Sequence, residues 1–333
     1  MKIILHFIIS IISILIVNNC SSDYKNSEII FSGNIKNCTD RVIVVSNYNS
    51  TMREEFPIDS IGNFTARVSV PKDGYYFFKI GRPYAKIRFK KGKDVHVNID
   101  ATDFFKSRKF TGELKYENNF NVEKSALRSK LIGDSKDYFV VPLDEFLPKI
   151  KKTKEAVFKL IEKSALSLED KELERRIAEY DYLQTYNNYQ KFYSYHKKYK
   201  ADLPDDYYKP IIEMDIDDDE MFRHSSAYRN LIIANFRHSS NFAMSADSSL
   251  SLIEFVEDRI SDINSVYARE QFASMLLRKM KQGNTNIHED YRQILPLFTT
   301  ERMKNRLSEK YQSALETVSG KQSIDFDYEN FSG

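Results

Sequence analysis

Two hydrophobic periods divide the chain. Between residues 28 and 113, apolar side chains recur at every second position, as in Phe64, Ala66, Val68 and Val70 and again in Val95, Val97 and Ile99. Period two is the mark of a strand with one buried face. The runs Glu28–Ile35, Arg41–Asn47, Arg53–Asp59, Asn63–Val70, Gly74–Ile80, Ala85–Phe89 and Asp94–Ile99 are rich in Val, Ile, Phe and Tyr, and an eighth short strand fits Arg108–Thr111. Turn formers separate them, among them Asn37-Cys38-Thr39-Asp40, Ile61-Gly62-Asn63, Pro71-Lys72-Asp73-Gly74 and Lys91-Gly92-Lys93. Strands at this spacing predict a small antiparallel sandwich or barrel-like domain over residues 28–115.

From about residue 120 the period lengthens. Leu143, Phe146, Leu147, Ile150, Val157, Leu160 and Ile161 follow the i, i+3, i+4, i+7 spacing of an amphipathic helix, with Asp144 suited to its N-terminal turn. Ser167 with Asp170 resembles a capping box opening a long helix towards Tyr199, striped by Leu173, Ile177, Tyr180 and Gln184. Pro204 and Pro210 bracket a break, and helices fit Ser226–Phe236, Ser248–Ser261, Asn264–Lys281 and Thr300–Val318, with Gly283 and Gly320 as stops. The fold class expected is α+β, an N-terminal β-domain followed by an all-helical domain over 120–318.

Composition narrows the function classes. The 333 residues suit roughly two domains of about 150 each. Lys and Arg total 50 against 48 Asp and Glu, a net charge of +2, which gives no electrostatic case for nucleic acid. Two cysteines are too few for a disulfide scaffold or a four-thiolate metal site.

The first residues read as an address. Lys2 precedes Ile3–Val17, an apolar run interrupted only by His6, Ser10 and Ser13 and shorter than the ~20 residues that span a bilayer. It ends in Val17-Asn18-Asn19-Cys20, then Ser21-Ser22-Asp23. This resembles a bacterial lipoprotein signal, with Asn19 where a small residue is usual. The reading is a signal peptide over 1–19, Cys20 as the lipidated first mature residue, and a tether over 20–27. It implies export to the cell envelope on the periplasmic face, with the membrane as a partner through the lipid. Cys38 then has no thiol partner in the chain and reads as a small buried residue near a turn.

The order of parts resembles the Bacteroidetes lipoproteins of the TlpA/ResA-like thiol–disulfide oxidoreductase family. The phrase Phe31-Ser32-Gly33-Asn34-Ile35-Lys36-Asn37 is similar to the opening of that family's β-domain, and Phe110-Thr111-Gly112-Glu113 with Glu117-Asn118 to its exit. The segment Gly320 to Gly333, with Asp325-Phe326 and Asn330, resembles the lead-in to the family's thioredoxin domain, so residues 319–333 are expected to begin such a domain. The family's chemistry needs a Cys-x-x-Cys pair at a helix N-terminus, where the lower thiol pKa makes thiolate available. This sequence has no Cys after Cys38 and no Trp. No catalytic, cofactor or metal residue carries over. The resemblance implies a redox-inactive, non-catalytic N-terminal region, truncated before the thioredoxin domain. The alternative is a stand-alone envelope lipoprotein that binds a ligand or protein partner, and a homodimer fits either.

Other candidate chemistry has plainer explanations. Asp215-Ile216-Asp217-Asp218-Asp219-Glu220 begins like a calcium loop, yet Glu220 and Ser226 stand where Gly and a bidentate Glu are needed. Arg223-His224-Ser225-Ser226 recurs as Arg237-His238-Ser239-Ser240 without a nucleophile elbow or paired metal histidines. The run Tyr180, Tyr182, Tyr186, Tyr189, Tyr193, Tyr195 and Tyr199, interleaved with Lys191, Lys197, Lys198 and Lys200, suits half-buried packing better than base stacking. Asp59-Ser60-Ile61 resembles a Bacteroidetes O-glycosylation triplet.

Overall fold

The computed structural model describes residues 28–48 and 50–316. The signal peptide, the lipidation site Cys20, the tether and the lead-in at 319–333 lie outside the described residues. The fold is α+β. Eight strands open it: β1 (Glu28–Lys36), β2 (Val42–Ser46), β3 (Arg53–Pro57), β4 (Asn63–Ser69), β5 (Gly74–Ile80), β6 (Tyr84–Phe89), β7 (Val95–Asp100) and β8 (Lys109–Gly112).

The strands form two four-stranded sheets, ordered β4-β1-β7-β8 and β3-β2-β5-β6. The alternation in β4 points Phe64, Ala66 and Val68 inward, and Phe31 from β1 packs edge-on against Phe64, Phe78 and Phe89 at centroid distances of 5.0, 5.6 and 5.6 Å. One pairing corrects the antiparallel expectation: β1 and β7 run parallel, from Phe31 beside Val95 to Lys36 beside Asp100. A parallel pair needs a long crossover, and here the whole of the second sheet and β4 lie between the two strands in sequence. Gly33 sits at the centre of that junction, paired with Phe64 on one side and Val97 on the other. A Cβ there would lie 2.0 Å from the Val97 carbonyl oxygen and 2.9 Å from the Phe64 ring, so only glycine lets the three strands close.

A one-turn helix, α1 (Phe104–Ser107), links β7 to β8, and α2 (Lys115–Ile132), α3 (Ser135–Phe139), α4 (Leu143–Lys163) and α5 (Leu168–Lys197) follow. The predicted stripe of α4 is buried at Phe146, Ile150, Val157 and Ile161. Ser167 caps α5, its hydroxyl accepting from the Asp170 N–H at 3.1 Å. Then come α6 (Lys209–Ile212), α7 (Asp219–His224), α8 (Ser226–Ala246), α9 (Leu252–Ser261), α10 (Val266–Ser274), α11 (Ile287–Ile294) and α12 (Glu301–Glu316). Helix α8 runs ten residues past its predicted end at Phe236, and α9 starts later than predicted because Ser251 and Glu254 make a full capping box.

The chain divides into two compact units. Of the described residues, the first holds those up to Leu203 with Arg223–Ala227, and the second Pro204–Phe222 with those from Tyr228 onward. The change from strands to helices and the division between units are therefore different boundaries: helices α1 to α5 belong with the sheets.

Candidate functional site

In the first unit, helix α2 meets the edges of both sheets through two consecutive asparagines. Strand β6 is an edge strand, and the outward N–H of Arg88 donates to Asn118 Oδ1 at 2.7 Å while Asn118 Nδ2 donates to the Arg88 carbonyl at 3.1 Å. Strand β8 is the edge of the other sheet, and Asn119 makes the same two-point bond with the Phe110 N–H and carbonyl, both at 2.9 Å. Each amide supplies what a neighbouring strand would. The open edge is thereby closed at Arg88 and at Phe110, and a buried peptide left without such a partner costs about 1–3 kcal/mol.

Beyond Asn118 the same face of α2 carries Asn121 and Lys124, and both are buried. Facing this side of the sheet, α5 buries two carboxylates one helical turn apart, Asp170 and Glu174, 5% and 2% exposed, and Lys124 meets the second of them. Lys124 Nζ and the Tyr75 hydroxyl both donate to Glu174, and Asn121 Nδ2 donates to the Tyr75 oxygen at 3.1 Å. Lys90 Nζ reaches the Asp170 oxygens at 2.8 and 3.1 Å and lies 3.4 Å from Glu117, while Arg88 Nη2 lies 3.7 Å from Asp170. Arg88 Nη1 also donates to Nδ1 of His224, 2.9 Å away, while its Nε is buried without a partner.

The charges are set by this company. Burial alone would raise the Glu174 pKa, but the Lys124 ammonium and the Tyr75 hydroxyl outweigh it and hold the carboxyl below its usual range. Asp170 is likewise lowered against the pull of burial, by Lys90, Ser167 and Arg88. Burial and the Glu174 charge push the Tyr75 phenol well above its ordinary value, so it stays a neutral donor. Guanidinium has only donors, so His224 must accept through Nδ1 and is neutral. Burial first, then Arg88 and neighbouring cations, pull its pKa down to about 3.

The sequence-predicted candidates fall elsewhere or separate. His224 belongs to this centre, whereas His238 belongs to the second unit, where it stacks on Tyr208 at 3.7 Å. The carboxylates of the acidic loop are taken up by neighbouring backbone and hydroxyl donors. Asp217 accepts from the Asn264 N–H at 2.9 Å and from the Ser265 N–H, Asp218 from the Met221 N–H at 2.9 Å, and Asp219 from the Ser265 hydroxyl. Among the described residues, no group of three His, Cys, Asp or Glu side chains is placed to hold a metal ion. Tyr189 is buried, stacked on Phe146 at 4.5 Å, with its hydroxyl on the Val141 carbonyl at 2.7 Å, whereas Tyr195 and Tyr199 are exposed. Cys38 is half-buried against the sandwich core with Sγ 3.4 Å from the Asp40 carbonyl, and burial pushes its thiol up. The Asp59-Ser60-Ile61 triplet forms an exposed turn whose Asp59 carboxylate accepts from the Ile61 and Asn63 N–H groups at 3.0 and 2.7 Å.

No family model, curated protein or solved structure matches this chain. The functional reading therefore rests on the residues themselves. Sequence periodicity did not reveal the polar centre, because its members lie on β5, β6, α2, α5 and α7 and are polar where an apolar stripe is sought. Three of its members stand out in the sequence for other reasons: Glu117 in the Glu117-Asn118 phrase, Asp170 in a capping box and His224 in a repeated tetrapeptide.

Proposed function

We propose that this chain is a lipid-anchored cell-envelope protein whose folded part is a non-enzymatic platform. In that reading Cys20 carries the lipid on the periplasmic face, and the sandwich with its clamping helices corresponds to the non-catalytic region of a TlpA/ResA-like thiol–disulfide oxidoreductase. The observation that carries the platform role is the spending of the buried charges on one another. Asp170 and Glu174 bind Lys90, Arg88 and Lys124, leaving a neutral histidine held by a guanidinium rather than a base beside a nucleophile. The half-buried Cys38 with a raised pKa adds support, since disulfide exchange needs an accessible low-pKa thiolate.

The purified chain is expected to leave insulin disulfides unreduced in dithiothreitol beyond the uncatalysed rate. Acceleration that disappears in Cys38→Ser would overturn the non-redox reading. An open cavity on the first unit favours a second reading, a stand-alone envelope lipoprotein that binds a ligand. Among the described residues, no helix is long and apolar enough to cross a membrane. Attachment by lipid at Cys20 is the proposed route to the envelope.

A further inference from the structure

The first unit contains a cavity of about 730 Å³ between the outer side of β5 and β6, helix α1 with the residue after it, and the C-terminal half of α2. Its charge is one-sided. Lys86, Lys106, Arg108 and Lys130 line it, and among the described residues no carboxylate does. Lys86 already stands 4.5 Å over the Tyr75 ring and helps keep Glu174 ionised, so the hollow's own cations are Lys106, Arg108 and Lys130.

Arg108 is the most telling of them. Burial lowers its pKa, its Nη2 spends one donor on the Phe105 carbonyl at 3.2 Å, and its Nε is buried with no partner. A guanidinium with a buried, unmatched donor is costly, and its remaining N–H groups are the ones an oxyanion can use. The hollow is also aromatic: Tyr84 and Phe105 are 62% and 61% exposed, and Phe77 meets Tyr84 edge-on at 6.1 Å. Ser125 and Ser129, one turn apart on α2, add exposed hydroxyls.

We infer that this cavity binds a small organic anion whose phosphate, sulfate or carboxylate is carried on a flat ring. The anionic group sits with Arg108, Lys106 and Lys130, in reach of the serine hydroxyls, and the ring lies against Tyr84 and Phe105. Guanidinium suits such an oxyanion because its fork of donors matches two oxygens at once. The exposed ring faces supply apolar contact and dispersion that an inorganic ion cannot use. The inference deepens the ligand-binding reading and is independent of lipidation, so failure of one does not touch the other.

The test is calorimetric titration of the purified chain with 1-naphthyl phosphate, inorganic phosphate and 1-naphthol. One saturable site is expected for 1-naphthyl phosphate, at least about tenfold tighter than for either fragment. Arg108→Met should weaken it about tenfold or more. Lys130→Gln, at an exposed position that leaves the fold intact, should weaken it about threefold. Sodium chloride should weaken it further. Equal affinity for inorganic phosphate, absence of saturable binding, or unchanged affinity in Lys130→Gln would overturn the inference.

Discussion

Lys124→Met is expected to lower the free energy of unfolding by about 3–5 kcal/mol, because it strands the Glu174 carboxylate inside the first unit. The two side chains are 7% and 2% exposed, so neither has water to fall back on. Tyr75 still donates to Glu174 in the variant, but one hydroxyl does not replace an ammonium. The loss should therefore come from the unpaired charge rather than from missing apolar contact, since the methionine stem keeps most of the packing. The double change Lys124→Met with Glu174→Gln tests that origin: a neutral amide can still accept from Tyr75, so at least half of the loss should return. Urea unfolding followed by circular dichroism reads both. A loss below about 1 kcal/mol in the single variant would mean that the pair behaves as a solvated surface bridge.

His224 should make the protein acid-sensitive well above the range in which carboxylates titrate. In the unfolded chain an imidazole takes up a proton near its ordinary value of 6.5, whereas in the fold, buried and facing Arg88, it does so only at about 3. Its contribution to stability is complete above pH 6.5 and is lost as the pH falls towards 3, at up to about 1.4 kcal/mol per pH unit. Between pH 7 and pH 5 this amounts to about 2 kcal/mol. Asp170 and Glu174, whose pKa values are lowered in the fold, act in the same direction at lower pH: their stabilisation is present above the usual carboxylate range and is lost as the pH falls through their folded values. His238, held down to about 4 by burial and then by Arg237, has the same sign in the second unit. The decisive quantity is therefore the difference between the wild type and His224→Gln, which cannot take up a proton. The variant should show a flatter decline in urea midpoint from pH 7 to pH 5. An identical decline would show that His224 takes up its proton freely in the folded chain.

The strands were legible in the sequence because each buries one face. The period-two pattern of Phe64, Ala66 and Val68 could be read directly, and all eight segments form strands. Direction was not legible. Alternation is the same for parallel and antiparallel neighbours, so nothing in Val95, Val97 and Ile99 announces that β7 runs with β1. Helix α4 was equally plain, since its buried positions are apolar. Helix α2 was hidden for the opposite reason. Its buried residues include Asn118, Asn121 and Lys124, which keep helical spacing but carry polar atoms, so the hydrophobic period vanishes although the structural one is intact. The polar centre was harder still. Glu174 lies 50 residues from Lys124 and 99 from Tyr75, and a pairing across such distances leaves no local mark. The repeated Arg-His-Ser-Ser phrase drew attention to His224 for a mistaken reason: what matters is Arg88 on a distant strand, not the second copy of the phrase.

The reading as an envelope lipoprotein turns on Cys20, and the most direct measurement is the mass of the mature N-terminal peptide from the membrane fraction of expressing bacteria. Mass spectrometry should find a peptide that begins at Cys20 and carries a diacylglyceryl thioether, and Cys20→Ser should remove both the lipid and the membrane association. An N-terminus at any other residue, or an unmodified Cys20 in a membrane-bound chain, would contradict the lipid-anchored platform.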